Sequence, residues 1–131
     1  MQEFQPKYAQ IWKYFNEICS TPRPSGKEEK IREYLLDFAQ KEGFISKVDK
    51  AGNVLITRKG EEPAIALQAH MDMVPQKTPE SKHDFVNDPI QTVVKGEWLY
   101  ACDTTLGADN GLGVAAIMAI MEDPYYGSFG Y

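Results

Sequence analysis

The chain has 131 residues, of which 43% are hydrophobic and 25% charged, and its net charge is −5. This composition is typical of one globular domain, which would bury about two thirds of the surface of its unfolded chain. The acidic charge argues against a nucleic-acid partner, and no apolar run approaches the ~18 residues of a membrane span. The polar start of the chain lacks the order of a signal peptide. We therefore expect a cytoplasmic protein with no membrane or nucleic-acid partner. Its cysteines, Cys19 and Cys102, are expected to be reduced thiols, with a single disulfide as the alternative.

Two amphipathic helices are predicted in the first third of the chain. Apolar side chains recur at three- and four-residue spacings over 8–20, and two prolines follow. In the next helix, Ser25 and Glu28 fit a capping box, and Gly43 stands where a helix C-terminal stop belongs. The aromatic and aliphatic stripes of these helices are expected to pack in the core.

From Phe44 onwards the pattern indicates strands. The predicted strands are 44–48, 54–57 and 64–69, followed by a hairpin of 89–94 and 97–101. The run 64–69 is apolar at nearly every position, as expected for a strand covered on both faces.

The remaining segments are an irregular loop, a glycine-rich loop, a helix and a tail. These are assigned in turn to 73–88, 103–113, 114–121 and 125–131. The order of helices, paired strands and strand–loop–helix units predicts an α/β fold, with helices packed on a mixed β-sheet.

A candidate metal site follows the apolar run 64–69. His70 and Asp72 point to the same side if the extended geometry persists, so the carboxylate can steady the imidazole ring. The alternative is an ordinary polar end of a strand. Asp109 lies in the glycine-rich loop, where a phosphate-binding role is the alternative; because its carboxylate repels phosphate, a cation is the better ligand. Such sites collect beyond the carboxyl ends of strands.

Several co-linear motifs resemble one family. These are His-Met-Asp-Met at 70–73, His-Asp-Phe at 83–85 and Thr-Thr-Leu-Gly-Ala-Asp-Asn-Gly at 104–111, together with Pro-Arg-Pro-Ser-Gly at 22–26 and Gly-Asn-Val-Leu at 52–55. The likeness runs from about 8 to 123. It is to the aminoacyl-histidine dipeptidases, also called peptidase D or cytosol non-specific dipeptidases, which are cocatalytic zinc peptidases.

The resemblance implies roles for three residues. His70 and Asp109 would be metal ligands, with Asp109 bridging two zinc ions, and Asp72 would be the catalytic residue that orients His70. The peptide bond Asp109–Asn110 would be cis. The implied reaction is hydrolysis of an unblocked dipeptide by a water activated between two zinc ions, with a glutamate as general base. Zinc, cobalt or manganese would serve as the metal.

The resemblance also implies that much of the centre lies outside this sequence. The family's Glu-Glu pair, a further carboxylate and a C-terminal histidine follow the bridging aspartate at greater distances than this chain extends. We therefore expect residues 1–131 to be a single partial catalytic domain, the N-terminal segment of a zinc peptidase, without the lid or dimerisation domain. Asp103 replaces the glycine that the family has before its Thr-Thr pair, with little harm expected.

Two further interpretations remain open beside a dipeptidase that acts on a dipeptide substrate. One is a non-catalytic remnant that folds, forms a homo-oligomer or binds metal weakly, with no metal bound as the limiting case. The other is a generic α/β domain whose resemblance is coincidental.

Overall fold

The computed structural model describes residues 8–61 and 63–126, and within these ranges it contains three α-helices and two β-hairpins. In chain order the elements are α1 Ala9–Cys19, α2 Glu29–Glu42, β1 Ile45–Val48, β2 Val54–Thr57, β3 Thr92–Lys95, β4 Trp98–Ala101 and α3 Ala108–Glu122. A short 3-10 turn, Pro124–Tyr126, follows α3. Most of the predicted irregular tail 125–131 lies outside the described residues.

The core forms where α3 packs against α1, and α2 contributes side chains to the same cluster. α3 is apolar around nearly its whole circumference, which is the pattern of a helix covered on several sides. The buried side chains come from all three helices and include Phe15, Ile18, Ile31, Leu35, Phe38, Val114, Ala115, Met118 and Met121. The predicted packing of the helical stripes is confirmed, although Tyr8 at the start of the first stripe is half exposed.

The sequence prediction is confirmed at the C-terminus of α2 and wrong at its N-terminus. At its C-terminus Gly43 adopts the left-handed conformation at φ 73°, as the stop signal predicted. At its N-terminus the predicted capping box is wrong, because no side chain caps the helix and Glu28 instead accepts a hydrogen bond from the backbone N–H of Gly26. The Ser25 hydroxyl instead donates a hydrogen bond to the Asp72 carboxylate.

The predicted α/β class is confirmed, with one difference in how the strands assemble. β1 pairs with β2 and β3 with β4, each antiparallel, and these form two separate two-stranded sheets rather than one mixed sheet. α2 packs on the first hairpin.

The predicted strand at 64–69 is wrong for this structure. The segment belongs to no strand, and residues 64–68 are exposed. A cavity of about 570 Å³ lies along it, lined by β2 on one side, by Leu67 and Ala69 on the other and by Val114 and Met118 of α3. A buried strand needs hydrogen-bonded neighbours as well as apolar cover, and the segment's apolar pattern encodes only the second requirement.

Neither cysteine is in a disulfide, and Cys19 is buried whereas Cys102 is exposed, so the predicted free thiols are confirmed. Among the residues described, none of the helices has the length and apolar character needed to cross a bilayer.

Candidate metal centre

His70 lies between two carboxylates at an open edge of the molecule. Its Nε2 is 2.9 Å from Oδ1 of Asp109, and its Nδ1 is 3.2 Å from Oδ1 of Asp72 and 3.2 Å from the Asp72 carbonyl oxygen. The structure thus brings together all three site residues predicted from the sequence.

Both ring nitrogens of His70 face hydrogen-bond acceptors. A neutral imidazole carries a single N–H, so it can donate a hydrogen bond at only one of its two nitrogens. The other nitrogen must take a proton or a cation to interact favourably with the acceptor that it faces. The hydrogen bond with Asp109 is the largest effect on the pKa of His70 and raises it; burial opposes this rise, and the interactions with Asp72 add smaller increases. This ring therefore favours a positive charge on one of its nitrogens.

Exposure distinguishes the two faces of the ring. The Asp109 side chain is 96% exposed, whereas that of Asp72 is 34% exposed. Oδ2 of Asp72 accepts a hydrogen bond from the Ser25 hydroxyl, and this bond lowers the pKa of Asp72, with the neighbouring His70 adding to the effect. Asp72 is thus a fixed, ionised acceptor behind the ring, and the open Nε2 side with Asp109 is where an ion from solution would bind.

Asp109 is placed by a backbone arrangement at the start of α3. Gly107 precedes the helix in the left-handed conformation at φ 75°. The dihedral angles of Asp109 and Asn110 are not helical, and the peptide bond between them is cis, as the family resemblance implied. The Asp109 carboxylate lies beside the His70 ring.

A second set of contacts ties the Asp109 loop to the chain that follows His70. The Thr105 N–H donates to the carbonyl of Gln76 at 2.8 Å, and its hydroxyl donates to the carbonyl of Val74 at 2.6 Å. The Thr78 N–H donates to the carbonyl of Asp103 at 3.0 Å. The two segments that carry the site residues are therefore held side by side.

The donor set of His70 and Asp109 fits a divalent metal such as zinc. Imidazole nitrogen and carboxylate oxygen are ordinary zinc ligands, and two ligands at ~2.0–2.1 Å from a tetrahedral ion lie about 3.3 Å apart. The 2.9 Å between Nε2 and Oδ1 is close to that spacing. Asp72 stands where a carboxylate usually orients a ligating histidine.

The set is short of a complete centre. Over 8–61 and 63–126, no group of three or more histidine, cysteine, aspartate or glutamate side chains is arranged to hold a metal ion. Glu122, the glutamate that follows Asp109, accepts hydrogen bonds from Tyr14 and Gln10 at the contact of α1 with α3.

Two residues of the Pro-Arg-Pro-Ser-Gly motif contribute to the site in ways that the sequence did not reveal. Ser25 was expected to cap α2, yet it bonds to Asp72. Arg23, to which no role was assigned, is 1% exposed and donates to backbone carbonyls beside both His70 and Asp109. The available signal was an arginine flanked by prolines between two apolar helices.

The chain is similar to known peptidases over most of its length. The cytosol non-specific dipeptidase of Escherichia coli is 45% identical over 118 residues, which are 86% of this chain and 24% of that enzyme. A LysW-lysine hydrolase of Deinococcus radiodurans is 40% identical over 63 residues, covering 48% of this chain and 17% of that protein. The chain thus spans about a quarter or less of the curated relatives it matches. No family model matches it.

Two solved structures extend the comparison. The aminoacylhistidine dipeptidase of Vibrio alginolyticus superimposes with a TM-score of 0.81 at 45% identity, covering 88% of this chain and 24% of that one. A Staphylococcus aureus tripeptidase shares the fold, with a TM-score of 0.71 at 24% identity over 86% of this chain and 31% of that one. The resemblance to the aminoacyl-histidine dipeptidases is confirmed over most of the chain.

Proposed function

We propose that this relative of the aminoacyl-histidine dipeptidases contributes part of the metal centre of a metal-dependent dipeptidase. His70 and Asp109 are the ligands, and Asp72 orients His70. The observation that carries the proposal is the His70 ring held between two acceptors, with its Nε2 face open to solvent beside Asp109.

Each residue has a defined task in this proposal. Asp72 retains the proton on Nδ1 of His70, which leaves the Nε2 lone pair free for the ion, and Ser25 keeps Asp72 ionised and in place. Asp109 adds a negative charge on the solvent side. When bound, zinc, cobalt or manganese supplies a Lewis acid that polarises a carbonyl group and lowers the pKa of water.

The proposed substrate is a dipeptide, and the proposed location is the cytoplasm. Both are supported by the descriptions of similar proteins, a cytosol non-specific dipeptidase and an aminoacylhistidine dipeptidase. Assays with Xaa-His and other dipeptides distinguish a histidine preference from a broad one. Activity of the chain that is abolished by a chelator and by Asp109→Ala would establish that these residues catalyse without further ligands.

Equilibrium dialysis against zinc tests the metal site. We expect fewer than two tightly held ions per chain, because the described residues supply two ligands and a catalytic zinc normally takes three protein ligands. Binding should be lost in His70→Ala and Asp109→Ala and retained in His83→Ala, which removes the other histidine of the chain. Two tightly held zinc ions, or loss of binding in His83→Ala alone, would contradict the proposal.

A second candidate function, self-association without peptidase activity, is favoured by the exposed apolar segment 64–69. Ile65 and Leu67 are 42% and 41% exposed, and Leu55 of the nearby β2 is 62% exposed. Exposed apolar side chains favour burial against another chain. Sedimentation velocity would show a concentration-dependent dimer that Leu67→Lys dissociates, whereas a monomer at all concentrations would exclude this function.

A further inference from the structure

We propose that Arg23 is a positioning residue that fixes the distance between His70 and Asp109, and thereby the affinity of the site for a metal ion. The second half of this proposal rests on the proposed function. The first half, the placement of the two side chains, holds for the metal-free protein as well.

Arg23 is a buried charge whose side-chain hydrogen bonds go to carbonyl oxygens. Its Nη1 donates to the carbonyls of Met71 and Asp72, at 3.2 and 3.3 Å, and its Nη2 donates to the carbonyl of Gly107 at 2.8 Å. Within the described ranges no carboxylate lies at ion-pair distance from the guanidinium group, although buried charges are usually paired. The arginine is therefore placed to bind backbone rather than to balance an acid.

The carbonyls that Arg23 binds belong to the two segments that carry the ligands. Met71 and Asp72 directly follow His70, whereas Gly107 lies two residues before Asp109. One planar group thus spans both segments, and its fork of donors has a fixed geometry. Moving the guanidinium group would remove this link beside His70 and Asp109, while the contacts of Thr105 and Thr78 farther along the two segments would remain. Without the link, the 2.9 Å separation of Nε2 and Oδ1 would change.

Further contacts place the backbone of Arg23 beside the His70 segment. The Met73 N–H donates to the Arg23 carbonyl at 3.0 Å, and the Ser25 N–H donates to the Met73 carbonyl at 3.0 Å. The arginine is consequently anchored to one segment by its own backbone and reaches the other through its side chain.

Two glycines leave space for the Arg23 side chain to extend to the backbone before Asp109. A Cβ atom on Gly107 would lie 2.5 Å from Nη2 of Arg23, and one on Gly111 would lie 2.8 Å from the same atom. The guanidinium group is thus packed directly against the backbone that enters α3. A side chain at either of these glycines would displace the guanidinium group of Arg23.

Arg23→Lys is the first test variant, because it keeps the charge but replaces the planar fork with a single ammonium group that cannot span both segments. The first readout is the ¹⁵N signal of the His70 ring in the metal-free protein, which reports the hydrogen bond at Nε2. We expect this signal to shift in Arg23→Lys and to stay unchanged in Ile31→Val. That control loses one methylene from the core, at a fully buried position of α2.

The second readout is the binding of Co²⁺, followed by its visible absorption. We expect Arg23→Lys to bind about tenfold more weakly, with an altered spectrum, as is typical when a group supporting a ligand is removed. If Arg23→Lys does not fold, Gly111→Ala serves instead, since it keeps the arginine and places a Cβ atom 2.8 Å from its Nη2.

The outcomes separate the two proposals. An unchanged His70 signal and unchanged Co²⁺ binding in a folded Arg23→Lys protein would overturn the positioning role. A shifted His70 signal in a chain whose Co²⁺ binding is equally weak with and without His70→Ala would support the positioning of the side chains and overturn the metal site.

Discussion

His70 defines the chemistry of the site because both of its ring nitrogens meet acceptors. Its neighbours differ in their role: Asp72 is held by Ser25, whereas Asp109 is exposed. Sequence reasoning identified these three site residues from motif order, since a His-x-Asp pair and a glycine loop survive as local patterns. It missed Ser25 and Arg23 as parts of the site, because a hydroxyl or guanidinium partner 47 to 84 residues away leaves no local pattern.

Replacing Ser25 tests whether its hydroxyl stabilises the ionised Asp72 carboxylate or caps α2. We expect Ser25→Ala to raise the pKa of Asp72 towards its ordinary value, because the hydroxyl donates to the ionised carboxylate. A carboxyl NMR titration measures this change. The capping role instead predicts a loss of about 1 kcal/mol of helix stability with no change at Asp72. Ser46→Ala, on β1, is the control for removing a hydroxyl.

The backbone conformation of Asp103 determines how substitutions at this position should change stability. Its φ of 57° lies in the left-handed region, which agrees with the glycine that the family has there. Because aspartate tolerates this region better than branched residues, Asp103→Gly should change the free energy of unfolding by less than ~1 kcal/mol, whereas Asp103→Val should lower it by about 1–2 kcal/mol. Urea unfolding measures both, and equal stability of the two variants would refute the account.

Among the elements, α3 links the site to the core. Its N-terminal turn carries Asp109, its middle packs into the core, and its C-terminal end is fixed to two other elements. There Glu122 accepts hydrogen bonds from Tyr14 and Gln10 of α1, and Arg58, just after β2, donates to the carbonyls of Met121 and Asp123. The position of Asp109 therefore depends on contacts at the opposite end of the same helix.

The contact of Glu122 with α1 should make stability depend on pH. Burial opposes ionisation of Glu122, but the hydrogen bonds from Tyr14 and Gln10 outweigh it and lower its pKa. Because the folded-state pKa lies below the unfolded one, the stabilisation is fully present above the unfolded-state pKa, ordinarily ~4.3, and is lost as the pH falls through the lowered value.

The measurement is urea unfolding of the wild type and Glu122→Gln between pH 7 and pH 3. We expect the wild type to be more stable at neutral pH and the difference between the two proteins to shrink as the carboxylate becomes protonated. A difference that is constant across this range, or that grows as the pH falls, would show that the charge of Glu122 does not stabilise the contact of α1 with α3.

For the molecule as a whole, the sequence predicts the elements better than their assembly. The first two helices and both hairpins follow from periodicity and turn residues, which are local signals, whereas α3 begins at Ala108 and not at the predicted 114, so the last part of the predicted loop 103–113 belongs to this helix. The single mixed sheet and the strand at 64–69 do not form in the described structure, because strand pairing depends on neighbours distant in the chain. The pattern at 64–69 is apolar, but it does not predict that residues 64–68 are exposed beside the cavity.

The site also depends on the whole molecule, because His70 and Asp109 come from segments 39 residues apart that meet through backbone contacts. The chain is similar to the solved Vibrio aminoacylhistidine dipeptidase over 88% of its own length and 24% of that chain. The central claim is that His70 and Asp109 bind one metal ion together.

A crystal of the full chain soaked in zinc and measured at the zinc absorption edge tests that claim most directly. We expect an anomalous peak about 2.0–2.2 Å from both Nε2 of His70 and a carboxylate oxygen of Asp109, with Asp72 still contacting Nδ1. A peak bound to other residues, with the Nε2 face of His70 free of metal, would contradict it.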